Sequence, residues 1–369
     1  MDIKRKIPTE SGIIDQLRQD RIQLPPLSFR FLQNDGKSVR DAVLDALVEV
    51  SWQDEKARFA VECKALSTPK AFQAGLNQLK SVNLPESILP MLCLPFLSES
   101  QLKQLENEGI SGIDLSGNGV VIVPGKFYVF RTGGKNRFKS WAPIKNIYRK
   151  NSSMVGRVFL ARPNYDAVQE IRDEIGRRNP LVAMGNKMPI GLSTVSKALK
   201  TLEEDLIVSR KGGIRLLQAD KLLDKLADSY ALPEVARRVK LKIQKDPMEI
   251  RGLLAVLSRG LGLPVVATGT SSVSRYAVMQ RGDMLSVYCK KMDDVVARLP
   301  KSSQTDRFPN LELIETEDDT VYFDAREEDG FLWASPVQVY LELMSGDKRD
   351  QETAGQLKTS ILRSVEAIS

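Results

Sequence analysis

Apolar and polar residues alternate with a period of two over residues 44–52, LDALVEVSW, and again over 57–66, ARFAVECKAL. That spacing predicts two strands, each with one buried face. A tight turn at Asp54-Glu55 would pair Val50 with Phe59 and Val48 with Val61 on the apolar face. Upstream, PPLSFRFLQ reads as a strand after a proline break, and residues 10–20 as a short helix. Downstream, residues 68–82 read as a helix with Thr68 as N-cap and Pro69 in its first position. ILPMLCLPF reads as a buried strand, and residues 98–109 as a helix with a serine cap and a closing glycine. GIDLSGNGVVIV and KFYVF complete a set of short strands. Strands interleaved with helices define an α/β domain ending near residues 130–150.

The pattern then changes period. Residues 164–232 read as helix, short helix, helix, hairpin, helix. Val168, Ile171 and Ile175 form one stripe; Val195, Ala198, Leu199 and Leu202 form another at i, i+3, i+4, i+7. Ser193 is the expected cap of the second stripe's helix, whose opposite face would carry Thr194, Lys197, Lys200 and Thr201. Asn179 and Pro180 open the short middle helix. Beyond residue 232, VKLKI, LPVVATG, DMLSVYCK, LELIET and TVYFDA read as strands, followed by helices from Pro336 onward. The chain therefore reads as α/β multidomain: 1–150, 151–232 and 233–369, the last α+β.

Composition narrows the chemistry. No histidine occurs in 369 residues, which excludes Ser-His-Asp and Cys-His nucleophiles and His-ligated zinc or iron. Cys63, Cys93 and Cys289 are odd in number and far apart, so neither a disulfide framework nor a Cys-only zinc site is expected. A reducing cytoplasm is the expected location. MDIKRKIPTESG has no apolar signal-peptide core, and the longest apolar run, ILPMLCLPFL, holds two prolines and falls short of the roughly 20 residues a membrane helix needs.

Charge is distributed unevenly. Between Leu115 and Tyr165 there is no Asp or Glu, but there are ten Lys and Arg residues, leaving the remainder of the +7 chain at −3. Lys135, Arg137, Lys139, Arg149 and Lys150 belong to this stretch, with Phe138, Trp141 and Tyr148 among them. Cations neutralise phosphates, and aromatic faces either stack on bases or plug into a neighbouring domain. Beside it, the helix with Thr194, Lys197 and Lys200 is followed by a hairpin around Lys211-Gly212-Gly213 that carries Arg210, Lys211 and Arg215. Three helices and a basic hairpin resemble a central winged helix-turn-helix: one helix enters the major groove of double-stranded DNA while the hairpin meets flanking phosphates. The link GNKMPIGL is long for that motif, and the same pattern also serves protein contacts.

The first alternating pair carries a second constellation. With the turn at Asp54-Glu55, Asp45 lies opposite Lys64, with Glu62 on its diagonal, all on the polar face. Asp, about 17 residues, then Glu-x-Lys resembles the PD-(D/E)xK pattern of restriction-endonuclease-like domains. In a nuclease of that kind, Asp45, Glu62 and the Cys63 carbonyl would hold Mg²⁺ and Lys64 would orient water. A structural relic of that fold would need no cofactor. Glu-x-Lys triplets are common in a chain with 27% charged residues.

The order of GISGIDLSGNGVVIV, GLSTVSKALKTLEEDLIV, LLDKLADSYALP and SPVQVYLELMSGDKRDQETAGQLKTSIL resembles the AbiEi-like antitoxins and regulators of type IV toxin–antitoxin systems over roughly Glu62 to Leu362. The resemblance implies a bacterial regulator that represses its own operon and counters a nucleotidyltransferase-like toxin. Short members lack the front domain. A two-fold dimer would match a two-fold operator. ATGTSSVSRYAVMQRGDMLSV faintly resembles a nucleotidyltransferase, but Leu285 stands where Asp283 would need a second carboxylate, so a non-catalytic scaffold is expected.

Overall fold

The computed structural model describes residues 6–32, 45–138, 142, 144–279, 284–300 and 302–368, and its contacts divide the chain into two compact units, Met1–Ala142 and Pro143–Ser369. It is a mixed α/β structure. Lys139, Trp141 and Asp283, singled out above, lie outside the described residues.

The first unit opens with α1 (Glu10–Arg18), β1 (Ser28–Leu32), β2 (Ala46–Trp52) and β3 (Glu55–Cys63). It continues through α2 (Pro69–Ser81), β4 (Ile88–Leu94), α3 (Glu99–Asn107), β5 (Ser111–Asp114), β6 (Gly119–Val123) and β7 (Phe127–Arg131). The seven strands form one sheet in chain order. The first three are antiparallel, β3, β4 and β5 run parallel, and the last pairs are antiparallel again. Parallel neighbours require crossovers, which α2 and α3 supply. The Thr68 hydroxyl caps α2 by accepting from the Ala71 N–H, and Ser98 with Gln101 forms a capping box on α3. Val48, Val50, Phe59, Val61 and Met91 pack with Ile13 and Leu17 of α1. Leu92, Leu94 and Val120 pack with Phe72, Leu76 and Leu79 of α2 and with Leu102 and Leu105 of α3. Two separate apolar clusters thus sandwich the sheet.

The β2–β3 turn differs from the expectation. Trp52 pairs with Glu55, so Gln53 and Asp54 form the loop, and Val48 faces Phe59 while Ala46 faces Val61. Gln53 takes the positive φ of 55° that a tight hairpin uses. A shift of two residues keeps every side chain on its expected face. It brings Asp45 level with Glu62 instead of Lys64.

The second unit starts with α4 (Ser153–Ala161), β8 (Asn164–Tyr165), α5 (Val168–Arg177), α6 (Pro180–Ala183), α7 (Leu192–Glu204), β9 (Val208–Ser209), β10 (Ile214–Leu216) and α8 (Ala219–Ser229). β10 lies between β8 and β9 in a small sheet. There follow β11 (Arg237–Ile243), α9 (Pro247–Leu261), β12 (Val266–Ala267), α10 (Gly269–Ser272), β13 (Leu285–Cys289), α11 (Met292–Val296), β14 (Ser302–Gln304) and β15 (Leu311–Glu315). β16 (Arg326–Glu328), β17 (Phe331–Trp333), α12 (Pro336–Met344) and α13 (Lys348–Glu366) close the chain. The second large sheet has the order β14-β11-β15-β13-β12-β17-β16. One apolar core joins Val155 and Phe159 of α4, Ile171 of α5, Leu199 of α7 and Leu223 of α8 to Tyr340 of α12 and Leu357 of α13.

Four local readings change. Gly191, not Ser193, is the N-cap of α7. Thr201 is buried, its hydroxyl donating to the Lys197 carbonyl, so it leaves the polar face. TVYFDA is not a strand: Thr320 and Val321 end a 3-10 turn over Asp319–Val321, which the Asp318 carboxylate caps by accepting from the Thr320 N–H, and the residues after them continue as turn. Helix α4, with Met154, Val155, Val158, Phe159 and Leu160 buried, occupies the sequence directly after the basic connector.

Candidate functional site

Residues from two strands and a helix meet in the first unit. The Lys64 ammonium donates to Glu62 Oε1 at 2.6 Å and to Gln78 Oε1 at 3.0 Å, and Gln78 Nε2 donates to Glu62 Oε2 at 2.8 Å. Asp45 Oδ2 accepts from the Cys63 N–H at 2.7 Å. Period-two alternation puts Asp45 and Glu62 on one face, and α2, docked over that face, brings in Gln78. The Glu62 carboxyl is only 2% exposed. Burial pushes its pKa up, the Lys64 hydrogen bond opposes this, and the charges of Asp45 and Glu10 add to the rise. Burial alone would lower the Lys64 pKa, but its bond to Glu62 and the nearby carboxylates outweigh that and hold it up. Glu10, at the start of α1, thus belongs to the same electrostatic group. No spacing rule links it to Asp45, so sequence reasoning did not find it.

Carboxylate oxygens are the ligands a hard cation such as Mg²⁺ takes. Their arrangement does not fit one: both Glu62 oxygens are engaged by Lys64 and Gln78, and one Asp45 oxygen by the backbone. Among the described residues, no three His, Cys, Asp or Glu converge as metal ligands.

A second surface lies in the other unit. Helix α7 buries Val195, Ala198, Leu199 and Leu202 and exposes Lys197 and Lys200, while Thr194 is half-buried. The connection from α6 runs over residues 184–191. On the β9–β10 hairpin, Arg210, Lys211 and Arg215 are exposed; Gly212 and Gly213 take φ of 67° and 111°. Among the described residues, Lys197, Arg210, Lys211 and Arg215 have no carboxylate partner. The cations of β11 differ: Arg237 pairs with Asp293 and Glu315, Arg238 with Glu312, and Lys240 with Asp306.

Basic-connector residues fall on both sides of the unit boundary. Lys135 and Arg137 are exposed in the first unit, Arg149 and Lys150 in the second. The described aromatics are built into structure. Phe138 is buried, and the half-buried Tyr148 donates its hydroxyl to Asp205 Oδ2 at 2.5 Å, at the C-cap of α7. IDLSGN also forms a structural knot. Asp114 accepts from the N–H groups of Leu97, Ser116 and Asn118, and the Asn118 amide exchanges two hydrogen bonds with the backbone of Gly134. In the C-terminal part, Gly269-Thr270-Ser271 forms α10. Helix α12 contributes buried Gln338 and Glu342 to a polar cluster with Arg157, Tyr230 and Tyr288. Comparisons with protein-family models, curated proteins and solved structures gave no match.

Proposed function

We propose that the protein is a sequence-specific DNA-binding regulator of the antitoxin-like kind, repressing its own operon. In this reading α5, α6, α7 and the β9–β10 hairpin form a winged helix-turn-helix. Thr194, Lys197 and Lys200 of α7 face the major groove, and Arg210, Lys211 and Arg215 meet phosphates. The observation that carries the reading is that Lys197, Arg210, Lys211 and Arg215 are exposed without carboxylate partners among the described residues, on a helix and hairpin that bury Val195, Ala198, Leu199, Leu202, Val208 and Ile214. Residues 1–142 then form a restriction-endonuclease-like domain, supported by the order α1, three antiparallel strands, α2 and a parallel strand. A nucleotidyltransferase-like toxin is the expected cellular counterpart.

The test is a native gel with labelled duplex from upstream of the protein's own gene, run with Mg²⁺. A discrete, salt-sensitive shift of intact DNA is expected. Lys197→Ala and Arg210→Ala should each weaken binding about tenfold, equivalent to about 1.4 kcal/mol, while Asp45→Ala should leave it unchanged. Unchanged affinity in both basic variants would overturn the reading.

A second reading, a DNA nuclease, is favoured by one observation: Asp45, Glu62, Lys64, Gln78 and the Glu10 charge converge at one end of the sheet. Catalysis would require Lys64 or Gln78 to release Glu62. Fragments that vanish with EDTA and in Glu62→Ala would establish this reading in the same gel.

A further inference from the structure

Arg157 of α4 is 4% exposed, and among the described residues no carboxylate bonds to it. Its Nη1 donates to the Thr320 carbonyl at 3.2 Å and to Gln338 Oε1 at 2.8 Å, both neutral acceptors. Its Nε–H is buried without any partner. A guanidinium stays protonated in proteins and presents five donors in a fixed fork. Burying one with only neutral hydrogen-bond partners is costly. Burial lowers the Arg157 pKa although Asp318 and Glu342 act on it through charge without bonding to it; Glu342 itself accepts from Gln338 and Tyr288.

Arg157 lines a cleft of about 580 Å³, together with Arg149, Lys150, Tyr230, Asp318 and Thr320. That size suits a small ligand. Arg149 and Lys150 are exposed at the cleft. The cleft is also lined by Glu234, Glu317, Asp318 and Asp319, which are partly occupied. Lys290 holds Glu317 and Asp319, and Asp318 accepts from the N–H and hydroxyl of Thr320. Arg149, Lys150 and Arg157 thus share the cleft with an acidic wall, whose Asp319–Val321 turn packs beside the turn at Lys150.

We propose that this cleft is a binding site for a small oxyanion-bearing ligand, whose carboxylate or phosphate group bonds to Arg157 and is met by Lys150 and Arg149. The acidic wall would accept a donor or cationic group at the ligand's other end. Arg149 and Lys150, expected from the sequence to meet DNA, are given a second task here. The site does not depend on the DNA-binding reading.

Isothermal titration of the full chain in chloride buffer, with inorganic phosphate in one arm and succinate in the other, tests the proposal. Saturable binding of one anion is expected, and the arm that responds tells phosphate from carboxylate. Arg157→Gln should abolish it, and Lys150→Ala should weaken it about tenfold. Should Arg157→Gln fail to fold, Lys150→Ala, at an exposed position, decides alone. No saturable heat from either anion, or wild-type affinity in Lys150→Ala, would overturn the assignment.

Discussion

Glu62 is nearly sealed from solvent, and the Lys64 ammonium 2.6 Å away is what allows it to carry charge there. Replacing Lys64 by Met leaves Gln78 as the only side chain, among the described residues, bonded to that carboxyl. Charged hydrogen bonds of this kind contribute about 2 kcal/mol, and the variant should lose about that much at neutral pH. Because the fold raises the Glu62 pKa, the folded state favours the protonated form. This contribution is present below the unfolded-chain value and is lost as pH rises through the folded value. Without Lys64 the folded value rises further, so the gap between wild type and Lys64→Met should narrow as pH falls toward 5. Urea unfolding at pH 7.5 and pH 5 measures it; an equal gap at both would disprove the account. The faces of Asp45, Glu62 and Lys64 were legible because alternation survives a two-residue shift in register. The partner of Asp45 was not, because turn position depends on which residue accepts a positive φ, and Gln53 gives no such signal. Glu10 and Arg157 were invisible for a different reason: their meaning comes from neighbours far away in sequence.

At the level of elements, the β9–β10 hairpin rests on glycine. Gly213 has a φ of 111°, a region that side chains with a Cβ avoid. Gly213→Ala should destabilise the protein by about 1–2 kcal/mol, read as a lower denaturation midpoint. An unchanged midpoint would show that the hairpin tolerates the strain. The stripes of α5 and α7 were readable because their apolar faces repeat at helical spacing. The exact start of α7 was not, since Ser193 and Gly191 both suit a helix start and only the backbone decides. Helix α4 escaped notice because it follows a run of cations that reads as linker. Its Met154, Val155, Val158, Phe159 and Leu160 are buried on almost every side, so no polar stripe marks it as amphipathic. TVYFDA misled in the opposite direction: a run of large apolar residues suits a strand, yet Asp318 caps a buried 3-10 turn there and the chain continues as turn.

For the whole molecule, the division into two units falls inside the most basic part of the sequence. Arg131, Lys135 and Arg137 on one side and Lys145 and Arg149 on the other are exposed, and residues 132–137 belong to no helix or strand. Brief trypsin treatment should therefore cut here first and leave two resistant fragments close to residues 1–142 and 143–369, resolved by mass spectrometry. Early cuts spread through α7 or α13 would contradict that division. The Asp114–Asn118 knot also bears on how the protein ages. Asn118 precedes Gly119, the dipeptide most prone to deamidation in a flexible chain, because the glycine nitrogen readily attacks the asparagine side chain. Here that side chain is buried and clamped between Asp114 and Gly134, so the ring-closing geometry is out of reach while the fold is intact. Deamidation at Asn118 would thus act as a chemical record of time spent unfolded. Each event would place a second carboxylate against Asp114 and hinder that copy of the chain from closing the knot again.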